Sequence, residues 1–295
     1  MSAPLVAILT LNWNRPADTL ACLASAVAQT HPNTLLMVVD NGSHDDSVAQ
    51  IGRAYPNTTI ISNPQNLGFA AGSNVGLRAA LDLGAEYVFL VNNDTIFAAD
   101  CIAQLLAKAE PTVGLIAPAI YYADAPTLLW SLGGRLNRLT YEMDGDRPAE
   151  RPLALARAQR QGSLERDLMP FCAALLSRAA LEQVGLFDER FFMYYEDMDY
   201  SLRLRRAGLR ILLVPGAKLW HKVALSSGGR DAPAERYWMA RSSVLYFRKH
   251  VPGLRWLAVG PYRLGSALKT LARLALRGHH RAARADLKGL RDGLR

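Results

Sequence analysis

The sequence has few cysteines and no long apolar run, and both absences restrict what the protein can be. Its three cysteines, Cys22, Cys101 and Cys172, lie far apart and form no Cys-x-x-Cys pair. This excludes a disulfide framework and a zinc site with the usual spacing. No apolar run reaches the roughly 18 residues of a membrane-spanning helix, and the N-terminus lacks the pattern of a signal peptide. We therefore expect a reducing, cytoplasmic location.

Most of the chain has no excess of basic side chains, and the net positive charge is concentrated at its C-terminal end. The net charge is +8, and residues 255–295 hold ten Lys or Arg and two Asp. Of the 34 basic and 26 acidic side chains in the whole sequence, 24 of each remain in residues 1–254. A formally neutral body disfavours nucleic acid as its partner. The length predicts one large domain, residues 1–254, followed by a basic tail, residues 255–295.

Short apolar segments alternate with helical patterns in the first half of the chain, without hairpin signals between them. This alternation predicts βαβ units and an α/β fold with a mostly parallel central sheet flanked by helices. The strands expected there are residues 5–11, 35–39, 59–61 and 87–91.

The second half is less regular. Residues 144–166 are rich in Arg, Glu, Pro and Ala and are expected to form an exposed, mobile connection, and residues 226–229 a flexible loop. The strands expected in this half are residues 113–122, 210–215 and 217–221.

Polar residues follow three of the predicted strands. Asn12 ends the first, Asp40 ends the second, and Asn92, Asn93 and Asp94 follow the fourth. In open α/β sheets, ligands bind beyond the carboxyl ends of the strands. Carboxylate and amide oxygens there suit a hard cation such as Mg²⁺ or Mn²⁺. The alternative is an Asx turn that caps the next helix.

Three acids, Glu196, Asp197 and Asp199, stand at the start of a predicted helix. Their mutual repulsion and partial burial raise a carboxyl pKa, so that one of them can act as a general base. Acids also favour the first turn of any helix. Beside Phe191 and Phe192, however, desolvating three acids is costly without a function.

Taken together, four segments resemble an inverting nucleotide-sugar glycosyltransferase of family 2, with the GT-A fold. Within that family the rhamnosyltransferase-like enzymes of bacterial surface-polysaccharide assembly are the most similar subgroup. The resemblance covers roughly residues 4 to 250. The segments that carry it are residues 9–16 (LTLNWNRP), 38–43 (VVDNGS), 66–77 (NLGFAAGSNVGL) and 191–203 (FFMYYEDMDYSLR).

The resemblance implies a donor-binding half, about residues 1–125, and an acceptor and catalytic half, about residues 126–254. It implies that Asp40 recognises the pyrimidine base of the donor. Glycines at a helix start let phosphate approach backbone N–H groups, although Gly-x-x-x-Gly spacing also serves helix–strand packing. The other donor contacts expected are Asn12, Asn14, Asn66, Gly68, Gly72, Asn74, Asn92 and Asn93.

The resemblance also implies a metal site and a base. Asp94 matches the second acid of the Asp-x-Asp metal motif, whose first position is Asn92 here. His221 matches a histidine that completes the site in some relatives, although a histidine after a strand is often structural. The expected cofactor is Mg²⁺ or Mn²⁺. Asp197 matches the catalytic base, and Glu196 beside it is expected to support it or to contact the acceptor.

The implied reaction is the inverting, metal-dependent transfer of one sugar from a UDP- or dTDP-linked donor, such as a rhamnose donor, to a glycan or lipid-linked acceptor. The Gln-x-x-Arg-Trp signature of processive synthases is absent, which favours a single addition. One alternative is a relative that binds nucleotide sugars without catalysis. The other, a Rossmann oxidoreductase, is disfavoured because no Gly-x-Gly-x-x-Gly follows the first strand.

The tail is predicted to form a basic amphipathic helix. Such a helix lies in the interface plane of an anionic membrane, which predicts a peripheral location on the inner face of the cell membrane. The alternative is that its apolar face packs on the catalytic domain or on a second copy in a homo-oligomer. The apolar face comprises Leu264, Leu268, Leu271 and Ala275, and the basic face Lys269, Arg273 and Arg277.

Overall fold

The computed structural model describes residues 3–222 and 231–295, so the loop expected at residues 226–229 lies outside the described residues. The strands are β1 (Val6–Asn12), β2 (Thr34–Asp40), β3 (Thr59–Ser62), β4 (Tyr87–Val91), β5 (Thr95–Phe97), β6 (Val113–Tyr122), β7 (Leu129–Ser131), β8 (Gly134–Leu136), β9 (Met143–Gly145), β10 (Leu164–Arg166), β11 (Ala173–Ser177) and β12 (Arg210–His221). The helices are α1 (Pro16–Val27), α2 (Ser47–Ala54), α3 (Gly68–Asp82), α4 (Cys101–Leu106), α5 (Arg151–Gln161), α6 (Arg178–Val184), α7 (Glu196–Arg206), α8 (Pro233–His250), α9 (Trp256–Leu276) and α10 (His280–Leu294), with a 3₁₀ turn at Gly253–Arg255.

One large sheet carries most of the strands, in the order β10-β12-β6-β11-β4-β1-β2-β3. The pairs β1–β2, β2–β3, β1–β4 and β6–β12 are parallel, whereas β11 runs antiparallel between β4 and β6. The prediction of a mostly parallel central sheet flanked by helices is confirmed. Because β1, β2 and β4 are parallel neighbours, the polar residues that follow them meet at one edge.

The apolar run in β4 reflects burial on both faces of the sheet. Val88 and Leu90 join one hydrophobic cluster, while Phe89 and Val91 join the cluster on the opposite face. All four side chains are at most 1% exposed. Full burial of such a side chain stabilises the fold by about 1.5–3 kcal/mol, so β4 fixes the position of the polar residues after it.

Two predictions for the second half were wrong. Residues 144–166 are not a mobile connection, because they contain α5 and β10. Ala158 on α5 is fully buried, and the Arg151 guanidinium donates to the Leu129 carbonyl at 2.8 Å. The two strands expected at residues 210–215 and 217–221 form the single strand β12, which keeps pairing with β6 through an irregularity between Val214 and Lys218.

The predicted helical tail is present and is docked on the body. Helix α10 packs along α8, where the buried Asp286 accepts from the Arg236 guanidinium at 2.5 Å. Helix α9 is also docked, because its residues Val259 and Leu274 are fully buried. Among residues 3–222 and 231–295, no helix combines the length and apolar character that crossing a bilayer requires.

Candidate active site

A cavity of about 700 Å³ opens at the carboxyl ends of β1, β2 and β4, where the sequence predicts a ligand site. This volume lies within the usual range for small-molecule sites. Both halves of the chain line the cavity. The predicted site residues that line it are Asn12, Asn14, Asn66, Gly68, Asn92, Asn93, Asp94, Glu196, Asp197 and His221.

Three predicted donor residues, Asp40, Gly72 and Asn74, are not among the residues that line this cavity. Asp40 is 3% exposed, and its carboxylate accepts from the Asn12 amide at 2.8 Å and from the Ser43 hydroxyl at 2.6 Å. Asp40 therefore holds together the ends of β1 and β2.

Asn74 lies on the far side of α3 and ties that helix to the segment before the three acids. It is 1% exposed, donates to the Phe187 carbonyl at 2.9 Å and accepts from the Phe187 N–H at 3.0 Å. Gly72 packs one layer behind the cavity, where an added Cβ would lie 3.0 Å from the side chain of Asn41. In this structure both residues support the shape of the site from behind.

Asn41 lines the cavity and organises it, yet the sequence analysis did not single it out. Its side chain donates to the Gly68 carbonyl at 3.0 Å and to Asn66 at 3.1 Å, and it accepts from the Leu67 N–H at 3.1 Å. The signal was its place directly after Asp40 at a strand end. Asn41 thus fixes the turn that begins α3.

Gly68 is required by the backbone at the start of α3. Its φ is +81°, and an added Cβ would lie 2.4 Å from the Phe192 carbonyl oxygen. The Phe69 N–H donates to that same carbonyl at 2.6 Å. The absence of a side chain at Gly68 therefore lets the segment before the acids approach the donor-side turn.

Asp94 and His221 come together from β4 and β12. Asp94 Oδ1 lies 3.1 Å from His221 Nε2, and both side chains are buried. The geometry does not make this contact a hydrogen bond, and Asp94 Oδ1 has no hydrogen-bond partner in the part of the chain described. Two ligands of one octahedral cation, each about 2.1 Å from it, lie about 3.0 Å apart.

This orphaned carboxylate oxygen beside an imidazole nitrogen fits one edge of a divalent-cation site. Carboxylate oxygen suits Mg²⁺ and Mn²⁺, and imidazole favours Mn²⁺ of the two. No group of three or more His, Cys, Asp or Glu that could hold a metal occurs within the described ranges. The chain alone therefore supplies an incomplete coordination shell, which a ligand with oxygen donors could complete.

The acids are aimed by an unusual backbone turn. Tyr194 and Tyr195 both have φ of +67°, a left-handed conformation that costs a non-glycine residue roughly 1–2 kcal/mol. Helix α8 holds the turn in place: the Ser242 hydroxyl donates to the Met193 carbonyl at 2.8 Å, and Trp238 stacks on Phe192 with ring centroids 4.2 Å apart. Strain of this kind persists where surrounding contacts hold it, and here it places Glu196 and Asp197 at the cavity.

The two acids differ in their hydrogen bonding. Asp197 accepts from the Met198 N–H at 2.8 Å, whereas Glu196 Oε2 is buried without a partner among the described residues. Burial raises the pKa of Asp197 to about 6, and it raises the pKa of Glu196 well above its usual value, with a further contribution from the charge of Asp197. Of the two acids, Glu196 therefore holds a proton more readily, and Asp197 ionises more readily.

Asp199 does not line the cavity and instead forms ion pairs within the protein. Its fully buried carboxylate accepts from Lys249 at 2.6 Å, His250 Nε2 at 2.7 Å and Arg203 at 2.9 Å. Burial raises its pKa, but hydrogen bonds from His250 and Lys249 outweigh this and leave the pKa below its usual value. Because Lys249 and His250 lie on α8, Asp199 joins α7 to that helix.

Other residues that line the cavity were missed by the sequence analysis. Trp130 packs edge-on against His221 at 5.0 Å between ring centroids, and Trp13 is 44% exposed. Cys172 is a third, but burial raises the pKa of its thiol well above the usual value, so it is not a thiolate nucleophile. Single tryptophans and a lone cysteine gave no pattern that could have identified them. The lining residues outside the predicted set include Trp13, Trp130, Phe171, Cys172 and Glu235.

Comparison with known proteins gives this cavity a context. Residues 7–185 match the family model described as glycosyl transferase family 2. An N-acetylglucosaminyl-diphospho-decaprenol L-rhamnosyltransferase of Mycobacterium tuberculosis is 28% identical over 90% of this chain and 91% of its own length. A dTDP-rhamnosyl transferase of Shigella flexneri is 23% identical over 75% of this chain and 73% of its own.

A solved structure shares the fold. A mannosyltransferase from Pyrobaculum calidifontis, in complex with GDP-Man and Mn²⁺, superposes with a TM-score of 0.62 at 19% identity, covering all of this chain and 88% of its own. Among sequence relatives, a galactofuranosyltransferase of Mycobacterium tuberculosis is 30% identical over 68% of this chain and 64% of its own length.

Proposed function

The chain belongs to glycosyl transferase family 2 and is a glycosyltransferase, and from this we propose that it transfers one sugar from a nucleotide-diphosphate sugar to a glycan or lipid-linked acceptor, with inversion. One observation carries the proposal. A single cavity faces both an ionised carboxylate, Asp197, and the orphaned oxygen of Asp94 beside His221. These are the two chemical groups that a single displacement at an anomeric carbon needs.

The donor lies on the first half of the cavity. Its diphosphate approaches Asp94, and the positive end of the α3 helix dipole favours its negative charge. Asn66 and Asn93 offer hydrogen bonds to the nucleoside. The side chain of Asn12 is instead engaged with Asp40, Ser43 and Thr19, and Asp40 meets the base only if the turn after β2 rearranges. The names of the relatives favour dTDP-rhamnose as the donor and a lipid-linked diphosphate sugar as the acceptor, in surface-polysaccharide synthesis.

Asp94 and His221 would hold Mg²⁺ or Mn²⁺ together with donor oxygens. When bound, the cation neutralises charge on the departing diphosphate. Solved structural neighbours contain Mn²⁺, which supports this assignment but does not test it.

Asp197 is the base. Its carboxylate takes the proton of an acceptor hydroxyl, the hydroxyl oxygen forms a bond to the anomeric carbon, and the bond from that carbon to the donor phosphate breaks with its electron pair leaving on the nucleoside diphosphate. Since one displacement suffices, the anomeric configuration inverts. When protonated, Glu196 can donate a hydrogen bond to the acceptor beside it.

The experiment is release of nucleoside diphosphate from dTDP-rhamnose and from UDP-linked sugars, with and without a short-chain lipid-linked N-acetylglucosaminyl diphosphate. We expect acceptor-dependent release with one donor class, reduced by about 10²–10⁴ in Asp197→Asn. Tight donor binding without release in the wild type, under every metal and acceptor condition, would identify a non-catalytic nucleotide-sugar-binding protein and overturn the proposal.

A further inference from the structure

Helix α9 presents an apolar stripe to solvent. Leu257, Leu264 and Leu268 are 77%, 63% and 58% exposed. At 100° per residue they lie within about 40° of one another on the helix. Val259, about 160° from Leu257 around the helix, and Leu274, about 100° from it, are fully buried against the body. The stripe is therefore not the face that docks α9, and α9 has two distinct apolar faces.

Two further exposed leucines lie near the two ends of the helix. Leu254, before α9, is 86% exposed, and Leu276, its last residue, is 89% exposed. An exposed leucine alone needs no explanation, but three on one face of a single 21-residue helix do. A flat row of this kind suits a planar apolar phase better than a pocket.

The segment that carries the stripe is positively charged. Lys269 and Arg277 are exposed on α9 and just after it, and Arg281 and Arg284 are exposed on α10. Residues 255–295 carry ten basic and two acidic side chains. A second copy on the stripe would bring two such surfaces together and repel. An anionic lipid surface is complementary to it.

Both ends of α9 are fixed to the catalytic body. Near its start, Arg263 donates to Glu142 at 2.5 Å. Near its end, Arg273 forms a two-pronged pair with Asp231 at 2.6 and 2.8 Å. The Asp231 N–H donates to Glu235 at 2.6 Å, and Glu235 lines the cavity. The stripe is thus rigidly connected to the rim of the cavity.

We propose that α9 lies in the interface of an anionic membrane, with Leu257, Leu264 and Leu268 inserted between lipid headgroups. The inserted helix holds the cavity at a fixed height and orientation above the bilayer. This deepens the proposed function, on which it rests for its purpose, because a lipid-linked acceptor would then meet Asp197 without leaving the membrane. Basic side chains beside the stripe add electrostatic attraction to the apolar insertion.

The test is sedimentation of the full-length protein with vesicles of phosphatidylglycerol and phosphatidylcholine, without donor or acceptor. The variant carries Leu257→Ser, Leu264→Ser and Leu268→Ser. The matched control carries Val27→Ser, Leu83→Ser and Leu153→Ser, three apolar residues that are 60%, 53% and 72% exposed elsewhere. We expect wild type and control to bind these vesicles, less so at high salt, and the α9 variant to bind at least about tenfold more weakly. All three should share one melting temperature.

Three results would overturn the proposal. The wild type could fail to bind anionic vesicles at low salt, or the α9 variant could bind as well as the wild type. Alternatively, analytical ultracentrifugation could show a dimeric wild type and a monomeric α9 variant, which would assign the stripe to a second copy. Because vesicle binding is measured without turnover, failure of the proposed reaction would leave it unaffected. Conversely, a wild type that transfers sugar normally to a soluble acceptor but does not bind the vesicles would overturn only the membrane assignment.

Discussion

Replacing Glu196 by Gln should leave kcat within about tenfold of the wild type at neutral pH, whereas Asp197→Asn should remove nearly all of the activity. The two residues are adjacent and both are acids, so charge at the cavity alone does not distinguish them. Their hydrogen bonding does: Asp197 accepts from a backbone N–H, and Glu196 Oε2 has no partner among the described residues. Of the two acids, Glu196 is therefore the one expected to hold the proton, and Gln is a neutral group of the same shape.

The magnitude follows from these protonation states. Gln in place of neutral Glu leaves the charge at the cavity unchanged, so kcat should stay within about tenfold of the wild type, allowing for one altered hydrogen bond. Asn in place of ionised Asp removes the base, which typically costs about 10²–10⁴ in rate. The ratio between the two variants should thus exceed about tenfold.

The pKa of Asp197 determines the direction in which activity changes with pH. Burial raises the pKa of Asp197 to about 6, and the base works only when deprotonated. Activity should fall as pH falls through 6, to about a tenth of the plateau one pH unit below. When folding raises the pKa of a carboxyl group, the folded protein loses stability as the pH rises from the group's pKa in the unfolded state to its pKa in the folded state. Both variants should therefore melt at or above the wild-type temperature at pH 7.5.

The assay is initial-rate release of nucleoside diphosphate between pH 5 and pH 9, with melting curves at each pH as the fold control. If Glu196→Gln is as inactive as Asp197→Asn while both remain folded, Glu196 is the ionised base and the assignment is reversed. If the wild-type profile is flat between pH 5 and pH 7, neither acid titrates as the structure indicates.

The remaining predictions concern the metal, the turn at α3 and the anchor of α7. Excess chelator should abolish transfer and Mn²⁺ or Mg²⁺ should restore it, whereas Asp94→Ala should stay inactive at every metal concentration; full activity in chelator would remove the cation from the mechanism. Gly68→Ala should lower both the melting temperature and kcat more than Gly84→Ala, since both glycines have positive φ but only Gly68 faces a close carbonyl; equal losses would mean that backbone strain alone matters. Asp199→Asn should destabilise the protein at neutral pH, because the pKa of Asp199 is lowered by its partners, and the difference from wild type should shrink as pH falls through that depressed pKa; a difference independent of pH would refute the charge-pairing account.

Local sequence patterns were sufficient to predict the central strand and the parallel part of the sheet. The run of apolar residues before Asn92 identified a strand buried on both faces, and strand–helix alternation identified the parallel sheet. The position of β11, antiparallel between β4 and β6, depends on pairing across about 60 to 90 residues, for which no local pattern exists. Helix α5 was missed because its composition is polar and it is held by few buried groups, chiefly Ala158.

Some residues of the candidate site could likewise be predicted from local patterns, whereas others depend on tertiary packing. Residues at strand ends, such as Asn12 and Asp94, were predicted because strand ends converge in this class of fold. Asp40 and Asn74 were expected to meet the donor, but whether a polar residue faces a cavity or the layer behind it depends on side-chain packing that spacing does not encode. The pair of left-handed tyrosines before Glu196 could not be foreseen either, because a strained backbone is imposed by tertiary contacts, here from Ser242 and Trp238.

The anomeric configuration of the product tests the central claim most directly. Proton NMR of the first product formed from the active donor, followed before any equilibration, reports the configuration at the transferred carbon. A single displacement assisted by Asp197 predicts a configuration opposite to that of the donor. A product that retains the donor's configuration would contradict the account, because it would require a second displacement through a covalent intermediate, for which this cavity would have to supply a nucleophile.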